Sequence, residues 1–422
     1  MTLLGWIGIL VVILTVVALA KRWETRLVLF TSGAVLCCLS MEPLTTLNAF
    51  AKSMTNSGLI TAICTSMGFA SVLTYTKCDQ HLVALLSKPI RGLGIFLIPV
   101  CTAVTIMVNV VIPSASGVAA AVGSTLIPVM LRAGISPAGA AASVMMGTIG
   151  GVLSPGSAHN PYVAKMANMD VMDFIALHFP YSMIMFAIAV VGILIVAMLF
   201  RDKGASENTG VIDESKRVQL VENPNFIYAF IPVFPVLILF LGNTIIPSIK
   251  MGVAQAMLVG TILCLLVTRT NPQEFSKQFF SGMGKGYGEI LGIIIAAGVF
   301  AAGLTATGLV QSFVDLLKES NDIARWGGSF GPWCLGVITG SGDASTFAFN
   351  EAVTPHAQHF GMEVPNLGAL AFLAGVLGRT ASPISGAMVV VSGIAMVNPL
   401  EVSKRTFVPS LIALIALALT IV

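Results

Sequence analysis

Apolar runs of about 20 residues, the length a bilayer asks of a helix, follow one another along this chain with short polar stretches between them. They lie at about 2–20, 27–41, 57–76, 93–112, 118–131, 138–168 and 174–200, and then at 225–247, 251–268, 287–310, 328–339, 346–358, 366–397 and 407–422. The polar segment 201–224 between the two sets reads as a cytoplasmic linker joining a first unit, 1–200, to a second, 225–422. The pattern predicts an all-α integral membrane protein.

The two sets are punctuated alike. Ser154-Pro155-Gly156-Ser157 lies 228 residues before Ser382-Pro383-Ile384-Ser385, and Pro137 and Asp173 stand at the same spacing from Pro365 and Glu401. A small polar cluster precedes each Ser-Pro: Ser114-Ala115-Ser116-Gly117 in one half, Gly340-Ser341-Gly342-Asp343-Ala344-Ser345 in the other. Proline removes a backbone donor and clashes with the turn before it, so each Ser-Pro opens its helix. A duplicated unit with broken helices in apolar sequence is the pattern of a secondary transporter whose site lies between repeats.

Composition agrees with a bilayer environment. The chain is 56% apolar and only 10% charged, against about 25% charged in soluble domains. Its net charge of +3 is small and dispersed, which excludes nucleic acid as a partner. Seven cysteines form no C-x-x-C pair, and the five histidines show no H-E-x-x-H spacing, so neither a metal site nor a disulfide framework is indicated. Walker loops and nucleophile–base constellations are absent too, which argues against an enzyme or an ATP-driven pump, and no cofactor is expected beyond Na⁺ as a coupling ion.

Basic residues set an orientation. Placing the loop with Lys21, Arg22 and Arg26 inside puts 16 basic residues on that face and four, Lys52, Lys250, Lys318 and Arg325, on the other. Both termini then lie outside, periplasmic in a multi-pass protein of a cell inner membrane. Each half has three spans, an amphipathic stretch (79–91 and 311–325), a short apolar pair, a broken helix and a last span. The halves start on opposite faces, so they are expected to be inverted repeats. The short pairs, 93–131 and 326–358, are expected to be re-entrant hairpins, because arms of 12 or 13 residues at 328–339 and 346–358 fall short of a hydrocarbon core about 30 Å thick. The broken helices are 138–168 and 366–397.

At a break, unpaired N–H groups favour anions and unpaired C=O groups favour cations. Ser154, Ser157 and Asn160 mark the first break; Thr380, Ser382 and Ser385 mark the second. Ser114, Ser116 and Gly117 form the first tip, with Ser341, Gly342, Asp343 and Ser345 in the second. Arg379 sits inside apolar sequence one position before its break, opposite Gly151 in the first half. An intramembrane arginine is functional by default, and its planar fork holds a carboxylate; the bland alternative is a structural partner such as Glu351. Asp343 is expected to carry a proton or bind Na⁺, or else to cap the arm that follows it. His159 suits proton transfer. Asn109 reads as an interhelical hydrogen bonder, Lys165 as a residue reaching for the outer surface, and Glu289 as lying near the start of its span.

Three stretches resemble the anaerobic C4-dicarboxylate carrier family, C type, of the ion-transporter superfamily. They are Ala296-Ala297-Gly298-Val299-Phe300-Ala301-Ala302-Gly303-Leu304, Leu377-Gly378-Arg379-Thr380-Ala381-Ser382-Pro383-Ile384-Ser385-Gly386 and Pro399-Leu400-Glu401-Val402-Ser403-Lys404-Arg405-Thr406. The resemblance implies an inner-membrane, elevator-type carrier that forms a homodimer. By motif it implies that Arg379, Thr380, Ser382 and Ser385 bind substrate, faced by Ser341 and Gly342. The family's second tip reads Gly-Ser-Gly-Asn-Ala where this chain has Asp343, and its first break holds an acid near the position of His159. The expected function is secondary transport of a small carboxylate, a C4-dicarboxylate first of all, coupled to Na⁺ or H⁺ or working by exchange. A Na⁺/H⁺ antiporter of the same superfamily is the alternative within transport, and an anion channel the alternative outside it.

Overall fold

The computed structural model describes residues 3–21, 23–87, 94–203, 223–309, 312 and 321–421. Most of the linker, 204–222, and parts of the two amphipathic stretches lie outside these residues, as does position 93 at the start of the first hairpin. Among the described residues the secondary structure is helical, apart from one isolated bridge between Ile135 and Lys203. Seven helices there are long and apolar enough to cross a membrane.

The first half opens with α1 (Leu3–Ala20), α2 (Thr25–Leu39), α3 (Pro43–Met54), α4 (Ser57–Thr76) and the short α5 (Cys78–Ser87). A helical pair follows, α6 (Leu97–Val111) and α7 (Ala115–Arg132), then a broken helix made of α8 (Pro137–Gly147), a 3₁₀ turn (Gly150–Leu153) and α9 (His159–Met166), and last α10 (Val171–Leu199). The second half has α11 (Phe226–Phe230), α12 (Phe234–Thr244), α13 (Val253–Thr268) and a continuous helix of 35 residues made of α14 (Pro272–Lys285), a π-helical turn (Gly286–Leu291) and α15 (Gly292–Ala306). Its pair is α16 (Asn321–Thr339) and α17 (Gly342–Ala352); its broken helix is α18 (Val364–Ala381) and α19 (Gly386–Ala395), followed by α20 (Pro399–Thr420). Thr25 and Val253, which begin α2 and α13, are 228 residues apart, as are Val171 and Pro399, which begin α10 and α20.

Local chemistry sets these boundaries. Ser114 and Ser341 cap the second arm of each pair, their Oγ atoms accepting from Gly117 N and Ala344 N at 3.1 Å. Asp170 and Asn398 cap α10 and α20 in the same way. One expected arm length is corrected. The first arm of the second pair begins at Asn321 and runs 19 residues, not 12 from position 328, because nothing in Asn321–Arg325 breaks a helix. Only α17 is short, with 11 residues before a 3₁₀ turn that Pro355 starts, so the length argument for a re-entrant arm holds for α17 alone.

The apolar core falls into three clusters. The largest gathers α6, α7, α8, α16, α18 and α19 with α10 and α20, around Ile106, Val122, Met145, Leu373, Met388 and Leu414. The second gathers α2, α4, α9 and α15 with Phe174 of α10, Phe347 of α17 and Ala369 of α18. The third gathers α4 with α12, α13 and α14. Small residues let the second pair lie on α18: a Cβ on Gly336 would come 2.9 Å from the Gly375 carbonyl, and one on Gly342 would come 3.2 Å from it.

Candidate functional site

Both tips and both breaks open on one cavity of about 440 Å³. Ser114 and Ser116 from the first tip line it, as do Ser341, Gly342 and Asp343 from the second, Ser157 and His159 from the first break, and Arg379 from the second. These eight are the expected site residues that the fold brings together. The wall between them is Asn109, Thr148, Gly151, Val152, Phe372, Val376 and Ala387, closed by Met67 of α4 and by Glu289, Ile290 and Ile293 of the long helix.

Asp343 and His159 meet across this space, with His159 Nε2 2.9 Å from Asp343 Oδ1. The imidazole is buried between two aromatic rings, stacked on Phe347 at 4.2 Å and tilted against Phe372 at 4.5 Å. About half of the Asp343 side chain remains exposed to the cavity. Asp343 sits in the first turn of α17, where the helix dipole favours negative charge.

Arg379 crosses to the first half. Its Nη2 donates to the Thr148 carbonyl at 2.9 Å and its Nη1 to Thr148 Oγ1 at 3.3 Å. Thr148 is the residue on which α8 ends, so the guanidinium also answers an unpaired carbonyl at a helix C-terminus. Among the described residues no ion pair joins Arg379 to Glu351, whose carboxylate accepts from the Tyr162 hydroxyl. Two of the five guanidinium N–H donors are used in these contacts, which leaves donors for a carboxylate in the cavity.

The other expected residues do not line the cavity, and their partners say why. Asn160 is fully buried and holds the first break open: Nδ2 donates to the Val152 carbonyl at 2.9 Å and the Ser154 carbonyl at 2.8 Å. Its Oδ1 faces His178 Nε2 at 3.2 Å, which fixes that ring nitrogen as a donor and leaves Nδ1 to accept from Ser182 at 3.0 Å. Ser154 Oγ is buried without a partner. Gly117 N is spent on the Ser114 cap, and Ser345 Oγ bonds back to the Ser341 and Gly342 carbonyls at 3.1 and 3.0 Å.

In the second break, Thr380, Ser382 and Ser385 are buried; Thr380 Oγ1 donates to the Leu377 carbonyl at 2.7 Å, and Ser385 caps α19. The carbonyls there were expected to receive a cation, but hydroxyls of α20 already reach them. Ser403 donates to Ala381 O at 2.6 Å, Thr406 to Thr380 O at 2.8 Å and Ser410 to Leu377 O at 2.8 Å. A row of hydroxyls one or two turns apart on an apolar helix is the sequence signal for this contact. Asn109 was read as a hydrogen bonder between helices; its Oδ1 accepts from Gly151 N at 2.5 Å and its Nδ2 donates to the Ile112 carbonyl at 3.0 Å, tying the first tip to the first break. Lys165 pairs with Asn56, the cap of α4. Among the described residues no group of three or more His, Cys, Asp or Glu side chains is placed to hold a metal ion.

Known proteins share this chain's pattern. It is 44% identical over 276 residues, 64% of its length, to an uncharacterised transporter of Haemophilus influenzae, of which the match covers 99%. It is 28% identical over 378 residues to the anaerobic C4-dicarboxylate transporter DcuC of Escherichia coli K12, covering 82% of this chain and 77% of that one. The fold is that of Neisseria gonorrhoeae MtrF, described as illuminating a class of antimetabolite efflux pumps; the two agree with a TM-score of 0.62 over 89% of this chain and 83% of that one, at 15% identity. The profile of the C4-dicarboxylate anaerobic carriers matches residues 5–422. The chain is therefore a multi-pass membrane transporter and not an enzyme, and it belongs to the DcuC family of anaerobic C4-dicarboxylate carriers.

Proposed function

We propose that this protein is an inner-membrane secondary carrier for a C4-dicarboxylate, with Arg379 as the anchor of one carboxylate. The observation that carries this reading is the convergence of both tips and both breaks on one cavity that holds an arginine with donors to spare. The halves act as inverted repeats, supported by the 228-residue recurrence of helix starts at Thr25 and Val253 and at Val171 and Pro399 and by the asymmetry of basic residues. An elevator movement is proposed on the family resemblance and on the packing of α6, α7, α8 and α19 in one cluster and α2, α4 and α15 in another, with α9, Phe347 of α17 and Ala369 of α18 also in the second.

A dianion moving against an inside-negative potential needs accompanying cations. H⁺ is favoured over Na⁺ as that cation because Asp343 and His159 are in contact, and because hydroxyls already occupy the Thr380 and Ala381 carbonyls. The test is uptake of labelled succinate into proteoliposomes, with a thermal-shift screen of the purified protein against carboxylates. Arg379→Ala should lower affinity by about 30-fold or more while leaving a folded protein, and Arg379→Lys should restore little, since an ammonium lacks the planar fork. Uptake by Arg379→Ala within a few-fold of wild type would mean that Arg379 only closes the end of α8, and the carboxylate reading would fall with it.

A further inference from the structure

Four ionisable side chains line the cavity: His159, Glu289, Asp343 and Arg379. Two of them are engaged with one another, His159 with Asp343. Arg379 and Glu289 remain, and they are opposite in sign. Arg379 has spare donors beyond Thr148. Glu289 is exposed and is in none of the ion pairs among the described residues.

The backbone presents Glu289 in an uncommon way. It lies in the π-helical turn Gly286–Leu291 of the long apolar helix. Such turns are rare inside α-helices and recur where a side chain is re-aimed at a site. The turn is held from outside its own helix, since Arg26 Nη1 donates to the Gly288 carbonyl at 2.7 Å. The neighbouring Ile290 and Ile293 face the same cavity. Glu289 therefore offers a carboxylate to whatever Arg379 holds.

An unsubstituted dicarboxylate would bring two negative charges into a cavity whose other unpaired charge is also negative. A substrate with an ammonium group beside its carboxylate meets both unpaired groups at once. A cavity of about 440 Å³ has room for such a molecule, and both groups line it. We propose that Glu289 selects an amino-substituted dicarboxylate over the plain one, the ammonium lying on Glu289 and a carboxylate on Arg379. This rests on the carboxylate-carrier reading of the same cavity.

The test uses the full purified chain and two probes with one four-carbon skeleton, L-aspartate and succinate, titrated separately by thermal shift or calorimetry. Aspartate should bind wild type about 10- to 100-fold more tightly than succinate, the scale of a hydrogen bond to a charged group. Glu289→Gln should collapse that ratio, and Glu289→Asp, which keeps the charge, should preserve most of it. Equal or tighter binding of succinate by wild type overturns the proposal and leaves the carrier reading standing. A ratio unmoved in a cooperatively unfolding Glu289→Gln protein also overturns it. If neither probe binds wild type, the carrier reading fails and this proposal fails with it.

Discussion

His159 and Asp343 are 184 residues apart in the chain, yet their side chains meet at 2.9 Å between the first break and the second tip. The contact joins α9 of one half to the second tip of the other, and both residues line the cavity. With Asp343→Asn the amide oxygen can still accept from His159 Nε2, which keeps the tip in place and removes the negative charge. Wild-type uptake should rise as the medium is acidified, as proton-coupled entry of an anion requires. The Asn variant should fold and show a flattened profile. Proteoliposome uptake measured against pH and against Na⁺ decides this; an unchanged profile makes the pair a latch only and places coupling elsewhere.

The second tip depends on one glycine. Gly340 has φ +73°, and a Cβ there would stand 3.0 Å from both Ile384 C and Ser385 N. A left-handed alanine costs about 1–2 kcal/mol, and the clash falls on the backbone of the second break, which cannot swing aside as a side chain could. Gly340→Ala should therefore lower the apparent Tm and weaken carboxylate binding together. The matching change at Gly284, where an added Cβ meets nothing within 4 Å, should do neither.

The parts of the site that break a rule locally were legible in the sequence. Ser154-Pro155 and Ser382-Pro383 interrupt apolar runs, and Arg379 and Asp343 are charges where lipid-facing sequence has none, so each announces itself without a partner. What stayed hidden needed knowledge of contacts. Thr148 looks like any small polar residue until Arg379 reaches it from 231 residues away. Asn160 and Ser154 share a break with Ser157, and only the turn of the chain sends Ser157 to the cavity and Asn160 to the carbonyls behind it. Arg405 counted as one more basic residue for orientation, whereas it is buried on Asp202. The start of α16 was misplaced because polarity was taken for a helix end, and polar residues continue a helix readily once it has left the apolar layer.

Asp79 gives a pH dependence of stability that is separate from transport. It lies in α5, outside the spans, and burial pushes its carboxyl up from the ordinary 3.8 to about 6, although Gln80 N donates to Oδ1 at 2.8 Å. Above pH 6 both folded and unfolded states are ionised, and the folded state bears the cost of a buried charge. As pH falls from 6 toward 4 the folded state takes up the proton first, so this group adds stability on acidification, up to about 3 kcal/mol for a shift of this size. The thermal transition should rise between pH 7 and pH 5 by more in wild type than in Asp79→Asn, and the Asn variant should be the more stable of the two at pH 7. Identical pH slopes for the two proteins would show that Asp79 is solvated.

Asp202 and Arg405 form a buried bidentate pair where α10 gives way to the linker, with Arg405 Nη2 2.7 Å from Oδ1 and Nε 2.8 Å from Oδ2. Ser136, the cap of α8, donates its hydroxyl to the same carboxylate at 2.5 Å and its N–H to the Asp202 carbonyl at 2.7 Å. The Phe200 ring lies 4.6 Å from the guanidinium carbon. Three elements are thus joined at one point: the end of α10, the start of the first broken helix, and α20, whose Ser403 and Thr406 hold the second break. Removing the carboxylate leaves a buried cation whose remaining partners among the described residues are the Phe200 ring and the Glu401 carbonyl and carboxylate. Asp202→Ala should therefore cost about 3–5 kcal/mol, read as a large fall in the apparent Tm in detergent. Replacing both partners, Asp202→Leu with Arg405→Met, removes the unpaired charge and should recover much of that loss. A double variant no more stable than Asp202→Ala would mean that Ser136, not the ion pair, is what Asp202 serves.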